Sequence, residues 1–334
     1  MDGVPVDHRF EPGAVVADRY EIRSMIGKGG MGQVFKVLDR KTGAEVALKT
    51  LHAKYTTNNH AVARFIREVK LARQLNHPGI VKIFDAQQWD STLFYTMEYL
   101  DGKSLRQWIR QRRRLDLAST VRVLCLVSDA LNHAHQITIH RDLSPENIMV
   151  LPDGSIRVLD FGLAKLDDQF KGLTTIGINL GKIHYMSPEQ EQDASVVDHR
   201  ADLYSMGVMF YEMLAGRSPR MMSDAARQGQ EAFLDVLAGR AAPPITKLTD
   251  IRSDLPPETN DFVDRALAKN PNDRFSSAAE FRASLLNLYK IYRDREAAAA
   301  AAVAAQEAAK AAARANPGIV DRVKAFFARI FRRN

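Results

Sequence analysis

The stretch "IHRDLSPENIMV", residues 139–150, decides how this chain is read. It sets Asp142 five residues before Asn147. The apolar letters after Asn147 open a short hairpin, "NIMVLPDGSIRVLDFG" (147–162), which turns on Pro152, Asp153 and Gly154. The returning strand carries Asp160. Only a few residues therefore separate Asp160 from Asn147 across the hairpin, and three side chains able to do chemistry fall in one short span.

Upstream, "RYEIRSMIGKGGMGQVFKVLDRKTGAEVALKTL" (19–51) reads as three strands. "QVFKVLD" alternates with period two, "DRKTG" is a turn, and "EVALKTL" returns. Residues 61–75 place apolar side chains at helical spacing, and "NHPGI" stops that helix. "VKIFDAQQW" and "TLFYTMEYL" add two strands, so a sheet with one helix is complete by about residue 100. From "SLRQWI" onward the pattern is mostly helical. A long apolar helix spans 116–136, and "DLYSMGVMFYEMLAG" is apolar almost all round, as a buried central helix must be. Strands first and helices after predict an α+β fold of two lobes with a cleft between them.

Composition narrows the class. At 46% hydrophobic and 26% charged the chain reads as a soluble globular protein. The lone cysteine, Cys125, excludes an internal disulfide and reads as a buried helical thiol in a reducing cytoplasm. No secretory signal and no run approaching the ~20 apolar residues of a membrane span is seen. The net charge of +7 is uneven: "IVDRVKAFFARIFRRN" has five basic residues against one acidic. That pattern is an electropositive tail on a nearly neutral body, and no nucleic-acid partner is expected.

The glycine-rich "IGKGGMGQV" (Ile26, Gly27, Lys28, Gly29, Gly30, Met31, Gly32, Val34) is followed by an alternating strand and then Lys49. A dinucleotide fold would place a helix and an acidic residue there instead. Together with "VALK", "YTMEYLDG", "HRDLSPEN", "LDFGLAK", "MSPEQ" and "NPNDRF", in that order, the stretch resembles the protein kinase family. Its phrasing resembles the bacterial serine/threonine kinases of the eukaryotic-like (Hanks) type. The resemblance covers residues 20 to 292 and implies a bilobal kinase fold using ATP and Mg²⁺, with Mn²⁺ as a substitute.

On that resemblance the glycine-rich loop closes over the ATP phosphates, and Lys49 grips the α- and β-phosphates with Glu68 as its acidic partner. Ala47 leaves room for the adenine plane, Met97 stands as gatekeeper, Met149 lines the nucleotide site, and the backbone of Glu98 and Leu100 bonds adenine. Asp142 orients the incoming hydroxyl, while Asn147 and Asp160 hold Mg²⁺. Glu189 pairs with Arg274, Asp202 bonds the catalytic-loop backbone, and Arg141 pairs with a phosphorylated Thr174 or Thr175. The implied layout is a leader (1–18), a kinase domain (19–292; small lobe 19–97, hinge 98–102, large lobe 103–292), an alanine-rich helical spacer (293–316) and a basic amphipathic helix (317–334).

One position departs from the family. Ser144 stands where most serine/threonine members carry a lysine, and Lys182 stands where they carry a threonine. The expectation is a swap, with the Lys182 ammonium taking the absent lysine's place and Ser144 supplying the hydroxyl. The alternative is a pseudokinase scaffold that binds nucleotide and partners without catalysis. In the tail, Phe and Ile fall on one helical face opposite Arg and Lys, which fits either an anionic membrane at its cytoplasmic face or a partner protein. Proteins bearing serine or threonine are the expected substrates.

Overall fold

Strand alternation in the first third of the chain builds a six-stranded antiparallel sheet in the computed structural model. The structure describes residues 10–29, 32–51, 59–90, 92–161, 183–192, 197–219 and 245–315. Strands β1 (Val15–Val16), β2 (Tyr20–Gly29), β3 (Gly32–Asp39), β4 (Ala44–Thr50), β5 (Ile83–Trp89) and β6 (Thr92–Glu98) lie in the order β1-β2-β3-β4-β6-β5. Because successive side chains point to opposite faces, the sheet has two apolar surfaces. One face packs Val16, Tyr20, Ile22, Phe35, Val37, Val46, Leu48 and Phe94, with Phe10 stacked 5.3 Å from Phe35. Phe10 and Val16 thus belong to the small-lobe core, an addition to the sequence reading.

The other face meets helix α1 (Asn59–Ala72), which buries Phe65, Val69 and Ala72 at spacings of one and two turns. These pack on Ala47, Leu93, Tyr95 and Met97. Truncating a fully buried phenylalanine such as Phe65 to alanine is expected to cost about 3–5 kcal/mol. The helix starts and stops a few residues before the expected 61–75, because a turn follows Ala72.

Below the sheet, Ser104 caps helix α2 (Leu105–Arg112) with a reciprocal Ser104–Gln107 box. Asp116 caps helix α3 (Leu117–Ala134), its carboxylate accepting from Ser119 N–H at 2.7 Å. A second sheet orders β7 (Lys103–Ser104), β8 (Ile148–Val150) and β9 (Ile156–Val158). Helix α4 (Pro188–Gln192) precedes helix α5 (Arg200–Ala215), in which every residue from Ala201 to Ala215 is buried. That explains its all-round apolar sequence. Helices α6 (Leu248–Ile251) and α7 (Glu258–Ala266) pack on α5, where Phe262 meets Phe210, Phe275 and Phe281 at 4.7–5.1 Å. Cys125 is buried on α3, and burial pushes its thiol pKa up.

Helix α8 (Ala278–Ala315) runs unbroken through the alanine-rich stretch, so the helical extension is present. By contacts the chain falls into two units, one up to Leu286 and one from Asn287 onward. Among the described residues no helix is long and apolar enough to cross a membrane.

Candidate active site

The upper half of the site follows from strand register. Val34 lies opposite Lys49, and Lys49 opposite Tyr95; one pair along, Lys36, Ala47 and Met97 are opposite one another. With a side-chain period of two, Val34, Ala47, Lys49, Tyr95 and Met97 share a face. Ala47, Lys49 and Met97 are buried there, and Leu100 packs partly buried against the same core. At the end of β6, Glu98 donates its backbone N–H to Lys82 O at 2.9 Å, and its carboxylate lies 3.3 Å from Arg157 on β9. Met149, half-buried on β8, pairs with Ser104 and Arg157.

The glycine-rich hairpin joins β2 to β3 through the pairs Gly27–Val34, Lys28–Gln33 and Gly29–Gly32. Gly32 has φ +155°, and a Cβ there would collide with the Thr50 carbonyl oxygen. Among the described residues Gly29 has nothing within 4 Å of such a Cβ, and the Ile26 side chain is exposed. Gly30 and Met31 lie outside the described residues, as does the side chain of Glu68.

Lys49 meets Asp160, Nζ to Oδ2 at 2.6 Å. The Tyr95 hydroxyl donates to the other carboxylate oxygen at 2.7 Å. Burial, and then the Asp160 charge, push the Tyr95 phenol pKa well above its ordinary range, so it remains a donor. Sequence reasoning missed Tyr95. The signal was there: it lies two residues before Met97, on the same strand face.

The lower half is the loop around His140–Asn147, expected from the sequence to be catalytic, and it is heavily bonded. Asp202, 1% exposed at the start of α5, accepts from His140 N–H (2.9 Å), Arg141 N–H (2.8 Å) and His135 Nε2 (2.9 Å). Burial alone would raise the Asp202 pKa, but the His135 bond and the neighbouring donors outweigh it and hold it below the usual carboxylate range. The clamp fixes Arg141 at φ +66°, a left-handed conformation that a non-glycine residue keeps only when its surroundings impose it. His140 Nδ1 accepts from Asp142 N–H at 3.3 Å, so Nε2 carries the proton and donates to Leu159 O at 2.8 Å. Asp160 too has positive φ, +58°.

Asn147 Nδ2 donates to Asp142 twice, to its carbonyl oxygen at 2.7 Å and its carboxylate at 3.2 Å. Both bonds use the Asn147 amide nitrogen, so its amide oxygen is the atom able to act as an acceptor or ligand. The β8–β9 ladder extends to Leu159 N–H bonding Asn147 O at 2.8 Å, which sets Asn147 beside the strand end that carries Asp160. Ser144 is fully buried, and its hydroxyl has no hydrogen-bond partner among the described residues. Lys182, Thr174 and Thr175 lie outside the described residues.

Beyond the loop, Gln190 Nε2 donates to Arg141 O at 2.7 Å. Glu189 and Arg274 form a bidentate pair at 2.7 Å on both arms, the arginine side chain fully buried. Burial opposes the charge on Glu189, yet the Arg274 bonds keep its pKa lowered. Arg106 on α2 joins Glu146 (2.8 Å), Glu212 (2.6 Å) and the Tyr185 hydroxyl, which itself donates to Glu212. Glu146 therefore braces the catalytic loop against α2 and α5. Single-residue motif reading could not find this network, whose members are scattered over 106 positions.

Comparison with known proteins gives the same outline. The family described as protein kinase domain matches residues 20–285. The chain is 37% identical to the serine/threonine-protein kinase pkn3 of Myxococcus xanthus, over 86% of this chain and 53% of that protein. It is 34% identical to the serine/threonine-protein kinase PknB of Mycolicibacterium smegmatis, over 82% of this chain and 44% of that one. The chain thus spans about half the length of the curated relatives it matches. The crystal structure of the Mycobacterium tuberculosis PknI kinase domain is similar with a TM-score of 0.64 at 28% identity, covering 83% of this chain and 99% of that one.

Proposed function

The chain belongs to the protein kinase family, and from that premise we propose that it transfers the γ-phosphate of ATP to serine and threonine hydroxyls of proteins. One observation carries the reading: Asp142 is held by Asn147 on both its carbonyl and its carboxylate, beside a strand end whose Asp160 meets Lys49. Phosphoryl transfer asks for positioning and electrostatics more than covalent chemistry, and these residues supply both.

Asp142 would take or orient the proton of the substrate hydroxyl, and Asn147 keeps its carboxylate from turning away. Asp160 and the amide oxygen of Asn147 would hold Mg²⁺; both are hard oxygen donors. When bound, that ion neutralises charge on the transferring phosphate. Lys49 would grip the other phosphates, and Gly29, which no atom of the described residues requires to be small, would keep the backbone bare for their approach. Ala47, Met97 and the backbone at Glu98 and Leu100 would frame adenine.

We assign the missing cation to Lys182. A buried hydroxyl left unpaired costs about 1–3 kcal/mol. The Ser144 hydroxyl, unpaired among the described residues, therefore favours a partner such as the Lys182 ammonium. Radiolabelled phosphate from Mg·ATP should enter a generic protein substrate, and Asp142→Asn should abolish it. Lys182→Ala should lower kcat by about 10²-fold with little change in ATP affinity. Ser144→Lys with Lys182→Thr should restore it. Nucleotide binding without any transfer would instead favour a scaffold. The basic tail, residues 317–334, is read as an anchor to an anionic membrane surface, and co-sedimentation with anionic vesicles should require it.

A further inference from the structure

A hollow of about 380 Å³ lies between the end of α2, the loop 113–115 and the C-terminal end of α5. Its walls carry Arg106, Arg110, Arg113, Arg114 and Arg217, with Glu212 as the lining carboxylate. Five arginines against one glutamate leave a net lining charge of +4. Glu212 is already satisfied by Arg106 at 2.6 Å and by the Tyr185 hydroxyl. Arg110, Arg113, Arg114 and Arg217 are exposed and form no ion pair with the described residues.

The backbone builds this concentration of charge. Arg113 sits at φ +62°, in the left-handed region, directly before Arg114. Leu115 N–H bonds Met213 O at 2.7 Å, and Arg252 Nη1 donates to Leu115 O at 3.2 Å, which bolts the loop to the end of α5. Gly216, at φ +84°, lets the chain pass under the Arg113 carbonyl, where a Cβ would press on that oxygen. Like charges held this close repel, and an anion relieves that repulsion.

We propose that this hollow docks a phosphorylated side chain carried by a protein segment. Guanidinium forks match phosphate oxygens in pairs, and a phosphate dianion can engage two or three of them at once. The site is concave and within the size range of small-ligand pockets, about 300–1,000 Å³, so a single side chain can enter it where a flat bilayer cannot. Its lining holds no aromatic ring on which a nucleic-acid base could stack. The proposal draws on the kinase reading only because such an enzyme produces phosphorylated side chains; binding itself needs no transfer.

The test uses the Asp142→Asn chain of residues 1–334 without ATP, so the probe is not modified and a failure here and a failure of the kinase reading are separable. Three labelled alanine-rich peptides are compared by fluorescence anisotropy, bearing one threonine, one phosphothreonine or one glutamate. The phosphopeptide should bind at least about tenfold more tightly than the other two. Adding Arg110→Glu with Arg217→Glu should remove that preference while the melting temperature and affinity for a Mg·ATP analogue hold. Equal affinity for all three peptides, or a preference that survives the double substitution, would overturn the proposal. So would tighter binding of anionic vesicles or single-stranded DNA through the same arginines.

Discussion

The two loops that close on the proposed nucleotide site are held in opposite ways. The catalytic loop is bonded from all sides: Asp202 takes two of its N–H groups, Asn147 fixes Asp142, and Gln190 holds Arg141 O. The glycine-rich hairpin is a two-stranded ladder with exposed side chains at Met25 and Ile26, and among the described residues nothing crowds Gly29. Under the proposed function the difference follows from the tasks of the two loops. Proton handling and metal ligation tolerate little displacement, so their residues are over-determined. Covering phosphates needs bare N–H groups and close approach, which side-chain packing would block.

The sharpest way to break this comparison is to remove the clamp. Asp202→Ala strands three donors in a buried site and should cost about 3–5 kcal/mol, read from denaturant unfolding. Activity should fall with it, because Arg141 loses what holds it at positive φ. If Asp202→Ala unfolds like the wild type, the loop is not over-determined. Arg274→Ala should cost a similar amount by stranding Glu189, but with the catalytic loop's own bonds intact.

Next in size is the hairpin itself. Gly32→Ala should cost about 1–3 kcal/mol, from its φ and its collision with the Thr50 carbonyl. Gly29→Ala should change stability by less than about 0.5 kcal/mol and act instead on the KM for ATP. Equal stability losses in the two variants would erase the distinction between structural and ligand-facing glycines.

Tyr95→Phe removes one donor to Asp160 and should cost up to about 1.5–3 kcal/mol, the range for hydrogen bonds to charged groups. A further test is the pH dependence of Asp39, whose carboxyl is pulled down to about 2, chiefly by the Arg19 bonds. Its ordinary value is near 3.8, so this stabilisation is complete above that value and is lost as pH falls through about 2. Asp39→Asn should flatten that part of the acid unfolding curve.

Much of this was legible in the sequence because the decisive residues are local. The strands around Lys49 announced themselves by alternation, and Asp142, Asn147 and Asp160 fall within one loop and hairpin. The same holds for α5, whose all-round apolar sequence can only be a buried helix. What could not be read depends on distant partners. Tyr95 reaching Asp160, His135 joining Asp202, and Arg106 linking Glu146 to Glu212 each span tens of residues and carry no motif. The arginines of the hollow are likewise dispersed between α2 and the end of α5, and only the backbone at Arg113 and Gly216 brings them together.

The central claim is that the clamped Asp142 performs phosphoryl transfer. Its most direct test measures kcat and Mg·ATP affinity in Asp142→Asn beside the wild type. A fall in kcat of about 10²–10⁴-fold with affinity held within about threefold is the predicted outcome. Unchanged turnover in Asp142→Asn, or no turnover in either protein despite tight nucleotide binding, would contradict it.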